Sequence, residues 1–247
     1  KEKPASMSEK PVAYYENIRN DLIPLIPNDA RCILEVGCGT GKTGLALKKI
    51  NGAFVAGIEM NPAAAKQAKN ILDDVIHGDI ETIDLPYSDG SFDCIIFADV
   101  LEHLVDPLST LVKVRRLLKA GGTVVTSIPN VQFHGVIHQL IEGNWTYEKE
   151  GILDETHLRF FTYKEILKMF TRAGYTIHEI GEVMDPQYEK FSLNNATALN
   201  FGRTQISDLS PEEIKKFFVF QYLITAKPTN VNENEDNDMF QRGETLF

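Results

Sequence analysis

Three glycines, Gly37, Gly39 and Gly41, stand within five residues, shortly after the acid Glu35. Glycine lets a backbone turn tightly and approach a ligand closely. Arg31 to Val36 reads as a short apolar strand and Thr43 to Ile50 as a helix, so the glycines join a strand to a helix. A phosphate loop is one occupant to weigh. Its Gly-x4-Gly-Lys-Ser/Thr pattern needs glycine where Val36 stands, so Gly41-Lys42-Thr43 ends it correctly but the nest does not close. A dinucleotide is another, since Gly39, Gly41 and Gly44 match G-x-G-x-x-G and Glu59 suits a ribose diol. Glu35 argues against it, because a carboxylate there repels pyrophosphate. The same carboxylate can hold the ammonium of a methionine moiety, directly or through water.

Other reactive side chains follow at the ends of apolar runs. In Gly78-Asp79-Ile80, a carboxylate can accept from an adenine amino group while Ile80 packs on the ring. Asp99, Glu102 and His103 follow the run Phe92 to Ala98, and His157 and Arg159 lie in a later aromatic stretch. Imidazole exchanges protons near neutral pH, so His103 and His157 are the candidate bases for an acceptor hydroxyl, or else orient the loops they sit in. Arg159 can clamp an anionic acceptor, or pair with Asp154 or Glu155. Asp99-x-x-Glu102-His103 with His157 also has metal-donor types. Charged residues beyond a strand more often bind ligand or cap a helix, and no metal is assigned. Tyr14 and Tyr15 can close over the ligand or belong to a first helix. Lys113, Arg115, Arg116 and Lys119 read as a solvated helix face.

The elements that must position these residues alternate. A helix is expected from Pro11 to Ile26, with Pro24 and Pro27 ending or distorting it. Strands follow at Ala53 to Glu59, Asp74 to His77, Phe92 to Ala98 and Thr123 to Ile128. Pro62 and Pro107 mark helix starts, the second capped by Asp106. Its apolar face is Leu108, Leu111, Val112 and Leu118, and Gly121-Gly122 stops it. Thr162 to Ala173 is an amphipathic helix, Tyr175 to Val183 a strand, Pro211 to Phe217 a helix capped by Ser210, and Phe218 to Lys227 a late strand. Alternation of this kind means a parallel sheet with helices on both faces, with ligands beyond the carboxyl ends of the strands. The expected organisation is an N-terminal helical segment at 1–30, a main domain at 31–228 with a cap insertion at about 131–161, and an acidic disordered tail at 229–247.

A chain of 247 residues with 43% apolar content suits one domain with small appendages. The net charge of -10 disfavours broad nucleic-acid binding. Cys32, Cys38 and Cys94 form no CxxC pair, and free thiols fit a reducing cytoplasm. No apolar run is long enough for a membrane span. The chain opens on Lys1 rather than Met, as a trimmed segment does.

The ordered set ILEVGCGTG, GIEMN, HGDIE, FDCIIFADVLEHLVDP and LLKAGGTVVTSIPN resembles the class I S-adenosylmethionine-dependent methyltransferases, over residues 31–130. The resemblance implies a Rossmann-like α/β fold with a seven-stranded, mostly parallel sheet and two closing antiparallel strands. It implies S-adenosylmethionine as cofactor and S-adenosylhomocysteine as product. Glu35, Gly37, Cys38, Gly39 and Gly41 would face the cofactor's amino acid and ribose, and Glu59, beside Met60, the ribose hydroxyls. Asp79 and Ile80 would hold adenine, while Ala98 and Asp99 line the sulfonium. Tyr15, Asn130 and Arg159 become candidate acceptor contacts. Oxygen methyltransferases of ubiquinone synthesis and of small RNA carry Glu-x-x-Glu-His where this chain has Asp99-x-x-Glu102-His103. The stretch LDETHLRFFT at 153–162 is similar to small-molecule methyltransferases found with bacterial surface-polysaccharide and glycosyl-transfer enzymes. The expected activity is methyl transfer to a small acceptor at oxygen, a sugar or another metabolite. The competing readings are a non-catalytic cofactor-binding module and an NAD-dependent oxidoreductase.

Overall fold

The structure is a computed structural model that describes residues 10, 15–192 and 197–229. Strands β1 (Cys32–Val36), β2 (Phe54–Glu59), β3 (Asp74–His77), β4 (Phe92–Ala98), β5 (Leu118–Pro129), β6 (Tyr175–Met184) and β9 (Val219–Pro228) form one sheet in the order β3-β2-β1-β4-β5-β9-β6. β1 to β5 pair in parallel, and β9 runs antiparallel to both β5 and β6. The two closing strands pair antiparallel with one another as expected, and the last strand, β9, is the reversed one. β6 returns to the direction of β5 because β9 inserts between them. The topological switch point lies between β1 and β4, whose carboxyl ends, Val36 and Ala98, diverge to opposite halves of the sheet.

The central strands are apolar runs because both faces are covered. Helices α1 (Lys42–Asn51) and α2 (Pro62–Ala68) cover one face, where Leu47, Ala65 and Ala68 pack on Ile33, Val55 and Ile96. Helices α3 (Pro107–Arg115) and α5 (Tyr163–Arg172) cover the other, through Leu111, Val114, Ile166 and Phe170 against Leu34, Ile95 and Tyr222. The helix starts follow local chemistry. Asn61 Oδ1 accepts from Ala63 N and Ala64 N, and Asp106 Oδ1 accepts from Ser109 N. Ser210 and Glu213 close a capping box at α7 (Pro211–Phe218).

Several expectations change. From residue 15 to Ile26 the chain forms turns and a short 3-10 turn, Ile23–Leu25, instead of an α-helix, with Pro24 inside the turn. Residues 11–14, Tyr14 among them, lie outside the described residues. β5 starts at Leu118 and runs through Gly121-Gly122, so Leu118 belongs to the strand, not to the helix face, and Val112 is exposed. In the cationic cluster Arg115 and Arg116 are exposed, as a solvated face requires, but every member is also bonded to the chain. Lys113 donates to Ile80 O and Ile83 O, Arg115 to Ala173 O and Gly174 O, Arg116 to Leu85 O and Tyr87 O, and Lys119 pairs with Asp93.

The cap is larger than expected. It holds α4 (His134–Ile141) and is joined by α6 (Gln187–Ser192) and a hairpin of β7 (Leu199–Phe201) and β8 (Thr204–Ile206). Leu199, Phe201, Ile214 and Phe217 form a separate small core there, with Ile137 of α4 against it. The tail expected to be disordered lies outside the described residues from 230 onward. Among the described residues, no helix is long and apolar enough to cross a membrane.

Candidate active site at the carboxyl ends of β1 and β4

The glycine turn is held from both sides. Gly37 N and Cys38 N donate to Ile58 O, and Gly39 N donates to Glu59 Oε2 at 2.9 Å. Gly39 has φ +53°, and a Cβ there would lie 2.6 Å from Tyr15 O. Only glycine accommodates both the positive φ and that approach. Tyr15 O accepts from Thr40 N and Thr40 Oγ1, each at 2.9 Å, and Tyr15 Oη accepts from Asn61 Nδ2 at 3.2 Å. Tyr15 therefore lies along the glycine turn and the end of β2.

Glu35 is buried behind the turn, and its Oε2 has no hydrogen-bond partner among the described residues. Burial pushes its carboxyl up to about 8; a Gly44 hydrogen bond opposes this and the Glu59 charge adds to it. Glu59 is also shifted upward by burial, against hydrogen bonds from Asn61 and Gly39. Two acids so close, one with an unused oxygen, suit a cationic ligand group. Cys38 is buried, with its sulfur against Gly57, so it contributes backbone alone. Met60 is exposed beyond Glu59, and Ile80 is buried beside half-buried Asp79. Glu81 accepts from Val105 N and Asp106 N, which braces the loop carrying Asp79.

Asp99 follows Ala98 at the end of β4 with φ +53°. Its carboxylate is engaged by Arg19 Nη1, Gln221 Nε2 and Ser127 Oγ. Arg19 also grips Asp21 through Nε and Nη2, and its backbone N donates to Thr43 Oγ1. Sequence reasoning missed Arg19 and Gln221. An isolated arginine in an N-terminal segment carries no signal, and Gln221 sits within a strand pattern.

Beyond Asp99, a 3-10 turn, Leu101–His103, presents Glu102 and His103. Leu158 N and Arg159 N donate to Glu102 O at 2.8 and 3.0 Å, pinning the cap over this turn. The His103 and His157 rings meet edge to face at 4.7 Å, and His157 Nε2 lies 4.0 Å from Glu102 Oε1. Glu102 is 1% exposed, and neither carboxylate oxygen has a hydrogen-bond partner among the described residues. Donor atoms of Glu102, His103 and His157 all lie within 4.8 Å of one another. Burial and the adjacent Asp99 charge hold the Glu102 carboxyl well above its ordinary range. Burial lowers both histidines, His103 to about 4 with His157 adding to the shift. His157 Nδ1 is 2.9 Å from Ile152 O, so Nδ1 carries the proton and Nε2 offers a lone pair toward Glu102. A lone pair facing a carboxylate is repulsive unless a proton or a cation lies between them. Two imidazoles and one carboxylate are a donor set for a divalent cation that leaves open positions. Asp99, turned to Arg19, is outside this set.

Asn130 and Arg159, the other candidate acceptor contacts, are both engaged by the chain itself. Asn130 is wholly buried; its Nδ2 donates to Lys216 O and Val219 O, and its Oδ1 accepts from Gln132 N. It braces the strand end and has nothing left for an acceptor. Arg159 is exposed and donates to Val105 O and Leu158 O, with no ion pair to Asp154 or Glu155. Phe160, next along, packs edge to face on exposed Trp145 at 5.2 Å, with Tyr147 at 6.4 Å.

A sequence profile described as a methyltransferase domain matches residues 12–180. The chain belongs to that family. It is a methyltransferase by family, with the class I fold, and so an enzyme. The ubiquinone biosynthesis O-methyltransferase of Aromatoleum aromaticum is 26% identical over 176 residues, covering 68% of this chain and 74% of the relative. That of Maricaulis maris is 25% identical over 190 residues, 71% of each chain. Among solved structures, an S-adenosylmethionine-dependent methyltransferase from Mesorhizobium loti superposes with a TM-score of 0.57 at 16% identity, over 83% of this chain and 95% of that one. A cyclase, SpnF, superposes with a TM-score of 0.55 at 19% identity, over 89% of this chain and 80% of that one. At such identities the likeness carries the fold alone, and one fold hosts several chemistries.

Proposed function

We propose that this methyltransferase moves a methyl group from S-adenosylmethionine to an oxygen of a small acceptor, with a divalent cation held by Glu102, His103 and His157. The observation that carries this is the buried Glu102 carboxylate, unpartnered and facing two histidines at the end of β4. A buried charge of that kind is costly unless it is paired or ligates a metal. When bound, the cation supplies a Lewis acid that lowers the pKa of an acceptor hydroxyl.

The chain's own residues supply position. Glu35 faces the cofactor's ammonium, Glu59 its ribose, and Asp79, Ile80 and Met60 its adenine. Gly37, Gly39 and Gly41, with the Cys38 backbone, let the chain pass close to the ligand, and Ala98 lies beside the sulfonium. Arg19 and Asp99 together close the far side. The acceptor oxygen attacks the methyl carbon in line with the carbon–sulfur bond. A carbon–oxygen bond forms as the carbon–sulfur bond breaks, sulfur leaves as a neutral thioether, and the hydroxyl proton passes to solvent or a nearby base. The cap excludes water, and its aromatic residues Trp145, Tyr147 and Phe160 favour an acceptor with an apolar or aromatic body. The O-methyltransferase names of the relatives support oxygen as the acceptor atom.

The test has two stages. S-adenosylhomocysteine is titrated calorimetrically into the full chain, where saturable binding is expected. At 100 times its Kd it stabilises the fold by about 2.7 kcal/mol. Hydroxylated aromatics, sugars and amines are then offered with S-adenosylmethionine, with and without EDTA. The expected outcome is an O-methylated product that is lost on chelation and restored by added cation. Turnover indifferent to EDTA sinks the cation; a methylated nitrogen as the sole product sinks the oxygen acceptor.

A further inference from the structure

We propose that Lys10, Asp154 and Thr156 form a relay that fixes which nitrogen His103 offers to the cation. They are positioning residues, and the inference rests on the cation reading above. Lys10 belongs to the segment before the glycine turn, yet its ammonium donates to Asp154 Oδ2 and Lys149 O in the cap. The Lys10 and Asp154 side chains are 9% and 4% exposed, so this is a nearly buried ion pair. Such a pair is weak evidence for stability, and a geometric role has to be sought in what it touches next.

The other Asp154 oxygen, Oδ1, accepts from Thr156 N at 2.8 Å and from Thr156 Oγ1 at 2.7 Å. A hydroxyl has one hydrogen to give. Having given it to Asp154, Thr156 Oγ1 presents only lone pairs to its other neighbour. That neighbour is His103 Nδ1, 3.2 Å from Thr156 Oγ1 and 3.2 Å from Thr156 O. Both oxygens are acceptors, so Nδ1 carries the ring proton and Nε2 keeps its lone pair. His157 reaches the same tautomer more simply, through Ile152 O. Without Lys10, Asp154 loses its fixed partner, and the Thr156 hydroxyl is free to turn its hydrogen toward Nδ1. There it competes with Thr156 O, and each ring that accepts from the hydroxyl carries its proton on Nε2, where it blocks ligation. Outer partners that orient ligating histidines this way alter metal affinity by about 10–100-fold when removed.

The experiment uses cobalt(II) as the probe, titrated into the full chain and followed by its visible absorption. S-adenosylhomocysteine affinity is measured in parallel. Lys10→Met and Asp154→Asn are expected to weaken cobalt binding about tenfold or more, with the product affinity within about twofold of the parent. Lys10→Arg restores cobalt binding. Thr156→Val removes one of the two acceptors on Nδ1 without disturbing the ion pair, so it tests the relay if the first two variants fail to fold, and a smaller loss is expected because the backbone carbonyl remains. Folded variants that bind cobalt like the parent overturn the relay while leaving the cation site standing. Equal losses of cobalt and product affinity also overturn it, because they report a general disturbance. A parent chain that binds no cobalt overturns the cation site and the relay with it.

Discussion

The Arg19 guanidinium lies against the Asp99 carboxylate, 80 residues apart in sequence, at the end of the strand nearest the switch point. The contact holds Asp99 at a positive φ and carries the N-terminal segment onto the site. Ser127 and Gln221 complete the cluster from β5 and β9. Arg19→Met should leave Asp99 short of its main partner. Asp99 is 38% exposed, so the expected cost is about 2 kcal/mol, not the full penalty of a buried ion. Arg19→Lys should recover less than half of it, because one ammonium cannot grip Asp21 and Asp99 with a planar fork. Urea unfolding of the three proteins checks the order; a lysine variant as stable as the parent would contradict it.

Gly39 and Gly37 should differ in tolerance to a methyl group. Both take positive φ, which costs an alanine about 1–2 kcal/mol. A Cβ on Gly37 would meet Val100 Cγ2, the end of a side chain that can turn. A Cβ on Gly39 would meet Tyr15 O, which is backbone already bonded to Thr40. Gly39→Ala is therefore expected to lower the melting temperature further than Gly37→Ala and to abolish measurable product binding. Equal melting temperatures would count against the packing of residue 15 on the turn.

Glu35 gives the pH dependence a definite sign. Its carboxyl rises from an ordinary 4.5 to about 8 in the folded chain, so the folded state binds the proton more tightly than the unfolded one. Its contribution to stability is fully present below pH 4.5 and is lost as pH rises toward 8. The cofactor-free protein should lose stability across that window, by at most about 1.4 kcal/mol per pH unit from this group. Glu35→Gln should flatten the slope. An incoming ammonium favours the carboxylate, so binding S-adenosylhomocysteine near pH 7 should release protons. Calorimetry in Tris and in phosphate then gives heats that differ by the buffers' ionisation enthalpies. Identical heats would place the proton elsewhere.

Glu102 should be a liability without a cation and an asset with one. Its two oxygens are buried without hydrogen-bond partners among the described residues and its carboxyl is held above its ordinary range, so Glu102→Gln removes the cost of burying an ionisable group while keeping the shape. In EDTA the variant is expected to melt above the parent. In excess manganese the order should reverse, because only the parent gains binding energy from the ion. A variant that melts below the parent in EDTA would show that Glu102 has a partner in solution.

What could be read from sequence is what depends on neighbours along the chain. The apolar runs at Phe92–Ala98 and Asp74–His77 match β4 and β3 to the residue, and the caps at Asn61, Asp106 and Ser210 form as their types dictate. Those features arise from short-range sterics and from hydrogen bonds to residues two or three positions away. The three glycines likewise encode their own turn. Where neighbouring signals conflicted, the sequence misled. Apolar spacing before Ile26 outvoted two prolines, and Gly121-Gly122 looked like a helix stop although it lies inside a strand.

The amino-acid sequence by itself determined the sheet, the cofactor turn and the family, because a nucleotide cradle is built from contiguous motifs. Only the tertiary structure decided which side chains meet beyond the end of β4. Glu102 and His157 are separated by more than fifty residues, Lys10 and Asp154 by more than a hundred, and no periodicity relates them. It also withdrew Asn130, whose amide is consumed by backbone carbonyls of α7 and β9. The reason is physical: a backbone motif carries its own geometry, whereas a cluster of side chains exists only once the packing of distant elements has chosen its members.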